Sequence, residues 1–317
     1  MIDYTSDNYL NNSYRRVLID FKNSKGNCQN VQYSDNESVA AISFTHEGTV
    51  QKPQLLFVQG RAETTDKYLS LFHDLFEAGY DIYSYDHPGQ GYSGHREYGG
   101  RSWINSFEDY EKALTAVIKH YELNNPIIIA VSMGGLITVS ALNKQKIKAS
   151  KIVLVTPMFR IDRKGLPRWL AAFVCDFFDL IGRLTFNKYS APPGQKPYRR
   201  PAFASNNKTH SERRLNFYHD WYNNDSIIPI GGVTWHWLSH AYRNEPQQIK
   251  GETTRILLIE AQNDVIVDNS SNSEIIKKST ARIEIRRIKG GYHDLLNEED
   301  SIRNQTLEQI TDFVYRN

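Results

Sequence analysis

The chain has 317 residues, and its 38 lysines and arginines nearly balance its 36 aspartates and glutamates, so the formal net charge is +2 at pH 7. A general nucleic-acid-binding protein usually carries a strong basic excess, and this composition argues against one. The length suits one core domain with a large insertion. The two cysteines, Cys28 and Cys175, lie far apart and show no metal-ligand spacing, so we expect neither a disulfide framework nor a bound metal.

The N-terminal segment and the apolar segments bear on the location of the protein. The N-terminus contains acids and asparagines but no apolar run, which differs from the pattern of a secretory signal. No stretch reaches the roughly 18 uncharged apolar residues that a membrane span needs. We therefore expect a cytoplasmic protein, and we leave open a peripheral contact with the inner face of the plasma membrane.

In chain order, the predicted elements begin with two strands, Arg15–Phe21 and Val39–Thr45, and continue as an alternation of apolar strands and amphipathic helices. The further strands are predicted at Gln54–Gln59, Asp81–Tyr85, Pro126–Val131, Lys151–Thr156, Arg255–Glu260 and Arg282–Ile288. The helices are predicted at Asp66–Ala78, Phe107–Tyr121, Met133–Asn143, around Ile275–Lys278 and at Ser301–Tyr315. This alternation predicts an α/β protein with a mostly parallel central sheet flanked by helices.

The alternation stops after Pro157 and resumes at Arg255. Residues 159–245 are rich in aromatic, proline and basic residues, and we expect them to form an inserted cap on a core made of residues 1–158 and 246–317. Within the cap, seven apolar residues at helical spacing form one broad face: Leu166, Trp169, Leu170, Phe173, Val174, Phe177 and Ile181. This face either packs on the core and walls an acyl pocket, or dips into a bilayer surface beside Arg163, Lys164 and Arg168.

The most informative motif is the segment Ala130–Gly135, which reads A-V-S-M-G-G between a predicted strand and a predicted helix. A serine on such a sharp turn is held with its hydroxyl exposed above the sheet, and the small residues around it let the strand and the helix pack closely. A serine that only caps the following helix is the alternative. We predict that Ser132 is a nucleophile.

A serine nucleophile needs a base, and His293 follows the last predicted strand in the sequence G-G-Y-H. Of the ten histidines, it alone occupies the position expected for the chain order serine, acid, histidine. Two carboxylates, Asp264 and Asp268, follow the strand Arg255–Glu260. We favour Asp264 as the supporting acid because a carboxylate just beyond the strand end can reach His293, whereas Asp268 lies nearer the next helix.

The negative charge that develops on an attacked ester carbonyl needs two backbone N–H donors. We expect one from Met133, directly after the nucleophile, and one from Arg61, in the turn after the strand Gln54–Gln59. The glycine-rich segment Asp86–Gly94 lacks the Lys-Ser/Thr pair of a phosphate-binding loop. We expect it to be a structural loop beside the active site.

Five segments together resemble a known family. They read Q-G-R-A-E from Gln59, D-H-P-G-Q-G-Y-S-G from Asp86, S-M-G-G from Ser132, D-V-I-V-D-N from Asp264 and G-Y-H ending at His293. Their order is similar to that in the α/β-hydrolases that include monoacylglycerol lipases and bacterial lysophospholipases. Three cap segments resemble the bacterial inner-membrane lysophospholipases in particular: Pro201–Ser211, Leu215–Tyr218 and Gly231–Trp237. With them, the resemblance covers nearly the whole chain.

This resemblance implies an α/β-hydrolase fold with an inserted cap, and hydrolysis of the acyl ester of a lysophospholipid through an acyl-enzyme on Ser132, without a cofactor or metal. A monoacylglycerol lipase or a general carboxylesterase is the alternative, and a non-catalytic binding protein on the same fold is a further one. An epoxide hydrolase or dehalogenase of this fold would need an aspartate nucleophile, and Ser132 argues against it.

The cap also carries two arginine pairs, Arg199-Arg200 and Arg213-Arg214. A planar guanidinium group suits a phosphate because it donates two parallel hydrogen bonds. Together with the resemblance, this predicts that at least one of the four arginines faces the pocket and binds the phosphate of the lipid head group. The alternative is that they form a solvated surface or salt bridges between cap and core.

Overall fold

The computed structural model describes residue 2 and residues 4–94, 96–97, 100–161, 165–187, 189–223 and 229–316. Its ten strands are β1 (Gly26–Ser34), β2 (Glu37–Phe44), β3 (Gln54–Val58), β4 (Asp81–Tyr85), β5 (Arg96–Glu97), β6 (Arg101–Ser102), β7 (Ile127–Val131), β8 (Lys151–Val155), β9 (Arg255–Ala261) and β10 (Arg282–Ile288). The α-helices of these ranges are α1 (Asn12–Lys25), α2 (Leu69–Glu77), α3 (Glu108–His120), α4 (Met133–Asn143), α5 (Arg168–Leu184), α6 (Glu212–Asn223), α7 (Trp235–Arg243), α8 (Asn272–Lys277) and α9 (Asp300–Tyr315).

Eight of the strands form one sheet in the order β1-β2-β4-β3-β7-β8-β9-β10, while β5 and β6 pair with each other. From β4 to β10 neighbouring strands are parallel, and β1 and β2 form an antiparallel edge. The prediction of a mostly parallel sheet is therefore confirmed. In such a sheet, ligands bind outside the carboxyl ends of the strands, and the loops that follow β7, β9 and β10 all begin at that edge.

Both faces of the sheet are buried, which explains the continuous apolar strands. Along β3, Leu56 packs in one hydrophobic cluster with residues of α3 and α4. Its neighbours Leu55 and Phe57 point to the other face and pack in a second cluster with α2 and α9. Alternate side chains of each central strand thus point to opposite faces of the sheet and pack against different helix layers.

The prediction at the N-terminus was wrong. Arg15–Phe21, expected as a strand, lies inside α1. The helix begins after Asn11, and the side-chain oxygen of Asn11 accepts a hydrogen bond from the Tyr14 N–H at 3.0 Å. Leu18 and Phe21, three residues apart, are the buried residues of this helix, so tertiary packing overrides the β-branched residues around them. The following strand β1 was missed because, of its residues, only Val31 is buried, which leaves no apolar alternation to detect.

Helices α5, α6 and α7 lie between β8 and β9, within the segment 159–245 that we call the cap. On α7, Trp237 packs in the main core cluster, and its ring N–H donates to the hydroxyl of Tyr110 at 3.2 Å. Helix α5 packs on α7 through a small separate cluster of Ala171, Cys175 and Tyr242. The domain boundaries themselves stay a prediction.

The outer face of α5 is apolar and exposed. The exposed fraction is 72% for Trp169 and 61% for Phe173, and Phe177 is exposed as well. Of the basic residues expected beside this face, Arg168 forms an ion pair with Glu245, and Arg163 and Lys164 lie outside the described residues. In the described part of the chain, no helix is long and apolar enough to span a membrane.

Candidate active site

Ser132 lies on the sharp turn between β7 and α4. Its backbone has φ +48° and ψ −114°, a conformation that a non-glycine residue rarely adopts and that often marks a functional site. Its N–H donates to the carbonyl oxygen of Val155 at 3.0 Å. A Cβ at Gly134 would overlap the carbonyl oxygen of Val58 in β3, so glycine there lets α4 pack against the sheet. The turn thus holds the serine above the strand ends.

His293 lies in the loop between β10 and α9 and is buried. Its Nε2 is 3.0 Å from the Oγ of Ser132. The carbonyl oxygen of His293 accepts a hydrogen bond from the hydroxyl of Thr156 at 3.0 Å. These contacts place the imidazole within hydrogen-bond reach of the serine hydroxyl, which is the geometry that a general base needs.

Of the two candidate acids, Asp264 contacts the histidine. Its Oδ2 is 2.7 Å from the Nδ1 of His293, and its Oδ1 accepts from the N–H groups of Ile266 at 2.8 Å and Val267 at 3.2 Å. Asp268 instead accepts from the Ser270 N–H at the start of a 3₁₀ turn. The structure therefore brings Ser132, His293 and Asp264 into one chain of contacts.

The two backbone groups expected to stabilise an oxyanion belong to Met133, directly after the serine, and to Arg61, directly after Gly60. Gly60 is so close that a Cβ there would lie 3.4 Å from the Cβ of Ser132, and its own N–H donates to Glu63 at 2.7 Å. Within the described ranges, the N–H groups of Arg61 and Met133 have no hydrogen-bond acceptor. Met133 is the first residue of α4, so its N–H also lies at the positive end of the helix dipole.

The glycine-rich segment beside this turn is anchored by the carboxylate of Asp86. That carboxylate accepts from the side-chain amide of Gln59 at 2.9 Å and from the backbone N–H groups of Thr65 and Tyr92, each at 2.8 Å. Burial raises the pKa of Asp86 to about 6. The segment thus braces the turn that carries Gly60 and Arg61, as a structural loop would.

A charged cluster that the sequence did not reveal lies next to His293. The ammonium group of Lys67 is 2.5 Å from the carboxylate of Glu63 and 2.7 Å from that of Asp294, the residue after His293. Although burial lowers the pKa of Lys67, the two carboxylates raise it, so the lysine stays charged. The signal available in the sequence was an aspartate directly after the histidine, just before two leucines.

The four cap arginines contact other parts of the molecule. Arg214 is almost fully buried and forms ion pairs with Asp7 and Asp300, at 2.5 and 2.8 Å. Arg200 pairs with Asp220 at 2.6 Å. The ion pairs of Arg214 join the cap to the core and match the salt-bridge alternative, whereas the ion pair of Arg200 lies within the cap.

Arg213 and Arg199 complete the set. Arg213 donates to the carbonyl oxygen of Asp7 at 3.1 Å and lines a surface groove between α1 and α6. Arg199 is exposed. Within the part of the chain that the structure describes, no contact joins any of the four arginines to Ser132, Asp264 or His293. In the described part of the chain, moreover, no group of three or more His, Cys, Asp or Glu side chains could hold a metal ion.

The family model of the hydrolases described as serine aminopeptidase, S33, matches residues 50–300 of the chain. The match covers well over half of the sequence and includes the serine turn, the acid loop and the histidine loop. The chain belongs to this family. Its sheet order and helical layers are those of the α/β-hydrolase fold, as the resemblance implied.

Two curated relatives extend the similarity through the cap. The chain is 32% identical to lysophospholipase L2 of Escherichia coli over 271 residues, which are 81% of this chain and 78% of that protein. It is 26% identical to the probable lysophospholipase L2 of Haemophilus influenzae over 298 residues, 89% of this chain and 91% of that one. Both similarities span the core and the inserted segment alike.

Solved structures with the same fold include two lipases. A soluble variant of monoglyceride lipase from Saccharomyces cerevisiae is 15% identical, with a TM-score of 0.66 over 90% of this chain and 94% of that one. The monoacylglycerol lipase of Paleococcus ferrophilus is 17% identical, with a TM-score of 0.64 over 86% of this chain and 97% of that one. At these sequence identities, the similarity to the two lipases shows a shared fold only.

Proposed function

We propose that this ester hydrolase is a lysophospholipase that cleaves the acyl ester of its substrate through an acyl-enzyme on Ser132. The observation that carries the proposal is the chain of contacts from Ser132 Oγ through His293 to Asp264, at 3.0 and 2.7 Å. The similarity to the lysophospholipases of two bacteria supports the choice of substrate class. A lysophospholipid carries one fatty acyl ester on a glycerol that also bears the phosphate.

In the proposed reaction, His293 accepts the proton of Ser132 as its Oγ attacks the ester carbonyl. The N–H groups of Arg61 and Met133 donate to the oxyanion that forms. His293 then returns the proton to the leaving glycerol oxygen, and the acyl group stays on the serine. A water molecule, deprotonated by His293, releases the fatty acid. Asp264 holds the imidazole in the required tautomer and stabilises its positive charge.

We further propose a peripheral contact between the cap and a lipid surface. The supporting observation is the exposed outer face of α5, which continues into Phe186 with an exposed fraction of 97%. Exposed apolar faces of this extent are typical of surfaces that meet a membrane or a partner. Since the substrate is itself a membrane lipid, such a contact would bring the cap to where the substrate lies.

A substrate panel tests the function. Purified protein should hydrolyse a lysophospholipid at a higher kcat/KM than a monoacylglycerol of equal chain length, and a fluorophosphonate should label Ser132. A preference for monoacylglycerol would assign the protein to the neutral-lipid alternative. Equal activity on short esters and on both lipids would indicate a general carboxylesterase. Failure of the probe to react, with no activity on any ester, would indicate a binding protein.

A further inference from the structure

Lys67 joins two loops of the candidate active site. Its ammonium group is 2.5 Å from the Oε1 of Glu63 and 2.7 Å from the Oδ2 of Asp294. Glu63 ends the turn that follows β3, residues 59–63, which we call the oxyanion turn, and Asp294 directly follows His293. Only 4% of the lysine side chain is exposed. One buried ammonium group therefore bridges the oxyanion turn and the histidine loop.

On the first side of the bridge, the carboxylate of Glu63 fixes the backbone at Gly60. Its Oε2 accepts from the Gly60 N–H at 2.7 Å and from the hydroxyl of Tyr68 at 2.8 Å. A Cβ at Gly60 would lie 2.7 Å from that oxygen and 3.4 Å from the Cβ of Ser132. Because the Gly60 N–H is already bonded, the next donor of the turn is the N–H of Arg61, which we expect to face the oxyanion. The position of that donor therefore depends on where Glu63 is held.

On the second side, the carboxylate of Asp294 is fixed within the histidine loop. Its Oδ1 accepts from the side-chain amide of Asn297 at 3.0 Å, while its Oδ2 contacts Lys67. Only 3% of this side chain is exposed. Asp294 and His293 share a peptide bond, so a shift of the carboxylate moves the backbone that carries the imidazole. The ion pair with Lys67 thus joins the backbone of His293 to the oxyanion turn.

The cap covers this bridge. The ammonium group of Lys67 lies over the ring of Tyr218 in α6, 4.9 Å from its centroid, and over the ring of Tyr68 at 5.1 Å. Tyr218 is itself buried. Ion pairs strengthen when water is excluded, because the effective dielectric constant around them falls. Two carboxylates and two aromatic faces surround the lysine, so its charge is compensated although it is buried.

The bridge has a consequence for catalysis. A buried ion pair adds little net stability, since desolvation of the charges offsets their attraction, but its short contacts hold the partners at fixed distances. The oxyanion donor and the base must be held at a set separation, because one contacts the substrate carbonyl and the other contacts Ser132. We propose that Lys67 is a positioning residue, which sets the Arg61 N–H and the imidazole of His293 at the separation that the tetrahedral intermediate needs. This proposal rests on the proposed function and adds to it a residue outside the triad.

The test compares Lys67→Met, which removes the charge, with Lys67→Arg, which can still bridge both carboxylates. Lys144→Met is the control, because Lys144 also pairs with a buried carboxylate, that of Glu111, but at the end of α4 remote from Ser132. Turnover of a short p-nitrophenyl ester is measured per active site, with the sites counted by fluorophosphonate titration. Lys67→Met should lower kcat about a hundredfold with KM within about threefold of wild type, since a misplacement of roughly 1 Å has that effect. Lys67→Arg should keep kcat within about tenfold, and Lys144→Met should match the wild type.

A tetrahedral adduct separates positioning from a general loss of structure. An alkyl trifluoromethyl ketone adds the Oγ of Ser132 at its carbonyl carbon, so that the serine proton passes to His293 and the ketone oxygen becomes the oxyanion. Its inhibition constant should rise in Lys67→Met by about the factor by which kcat/KM falls. The secondary alcohol of the same chain forms no adduct and should inhibit both proteins equally. Equal weakening of ketone and alcohol would show a damaged pocket and overturn the proposal, as would an unchanged kcat in Lys67→Met.

A second variant keeps the test decisive if Lys67→Met does not fold. Asp294→Asn preserves the size of the side chain and an oxygen that Lys67 can contact, but it replaces a charge-assisted hydrogen bond by a weaker one. It should fold and lower kcat about three- to tenfold, with a matching rise in the inhibition constant of the ketone. A wild-type kcat in Asp294→Asn would overturn the proposal. So would a loss in Lys67→Arg as large as that in Lys67→Met.

The short ester also distinguishes this proposal from the proposed function, because its hydrolysis does not depend on the lipid head group. If the wild type prefers monoacylglycerol but Lys67→Met still loses kcat on the short ester, the positioning role stands and the lysophospholipase function fails. If the wild type cleaves lysophospholipids but Lys67→Met turns over the short ester at the wild-type rate, the positioning role fails alone.

Discussion

The hydroxyl of Thr156 donates a hydrogen bond to the carbonyl oxygen of His293, with an oxygen–oxygen distance of 3.0 Å. Thr156 directly follows β8, and its neighbour Val155 accepts the N–H of Ser132. The end of β8 therefore contacts both the serine turn and the histidine loop. Both hydrogen bonds use backbone groups of Ser132 and His293. We therefore expect the two loops to keep their relative positions when either side chain is replaced.

The first prediction follows from that framework. Ser132→Ala should leave a folded protein, because the turn is held by its backbone and by the packing of Gly134. It should lower kcat by roughly 10⁴–10⁶, since the members of a triad act as a unit. Ester hydrolysis is measured on protein free of host esterases, with circular dichroism to check the fold. Near-normal turnover in the variant would show that another residue is the nucleophile.

The second prediction separates the two carboxylates of the acid loop. Asp264→Asn should lower kcat on the order of 10⁴-fold, because the neutral amide no longer stabilises the imidazolium and disfavours the required tautomer. Asp268→Asn is the matched control and should lower kcat by less than about tenfold, since its carboxylate accepts from Ser270 in a 3₁₀ turn. The reverse order of effects would assign the supporting role to Asp268.

The third prediction concerns stability at acid pH. Burial lowers the pKa of His87 to about 4, that of His219 to about 3 and that of His240 to about 4. In the unfolded chain these histidines titrate near ~6.5, so below that pH the unfolded state binds more protons. The free energy of unfolding should therefore decrease as the pH falls from about 6.5 toward about 4.

Asp86 acts in the opposite sense, because its raised pKa of about 6 lets the native state hold a proton that the unfolded state has lost. Near pH 5, each of the three histidines binds about one proton on unfolding and Asp86 releases about one, so that the chain takes up about two protons in total. Urea denaturation at several pH values measures this slope, and His240→Gln should reduce it by about one proton. Equal stability at pH 7 and pH 5 would contradict the prediction.

The fourth prediction tests the outer face of α5. Replacing both Phe173 and Phe177 with serine should weaken binding to lipid vesicles about tenfold or more, because each exposed ring can contribute apolar burial to a lipid contact. Flotation of the protein with vesicles measures the binding. The control is Val50→Ser, which removes a residue with an exposed fraction of 75% that lies before β3, outside the cap. Flotation of the double variant at the wild-type level would indicate that this face does not meet the lipid.

Sequence patterns predicted the parts of the fold in which local signals and packing agree. The bounds of β4, α4 and β10 match their predictions. Gly79 precedes β4, the serine turn precedes α4 and Gly290 follows β10, so a turn signal marks one end of each. The pattern failed at Arg15–Phe21, where β-branched residues suggested a strand but the burial of Leu18 and Phe21 requires a helix.

For the site, chain order and nearness to a strand end led to the prediction of Ser132, His293 and Asp264, whose side chains the structure brings into contact. Their loops follow strands that end at the same edge of the sheet. Chain order could not reveal the surroundings of the cap cations. The partners of Arg214 are Asp7 and Asp300, far away in sequence. Asp294, which Lys67 contacts, is likewise far from that lysine in the sequence.

The ion pairs of Arg214 also have a consequence for biosynthesis. Asp7 precedes the cap in the chain and Asp300 follows it, and Arg214 in α6 forms an ion pair with each. A nascent chain that already contains Ser132 and the whole cap therefore cannot yet lock α6 in place. A chain truncated before α9 would contain Ser132, Asp264, His293 and the whole cap, but it would lack the Asp300 partner of Arg214.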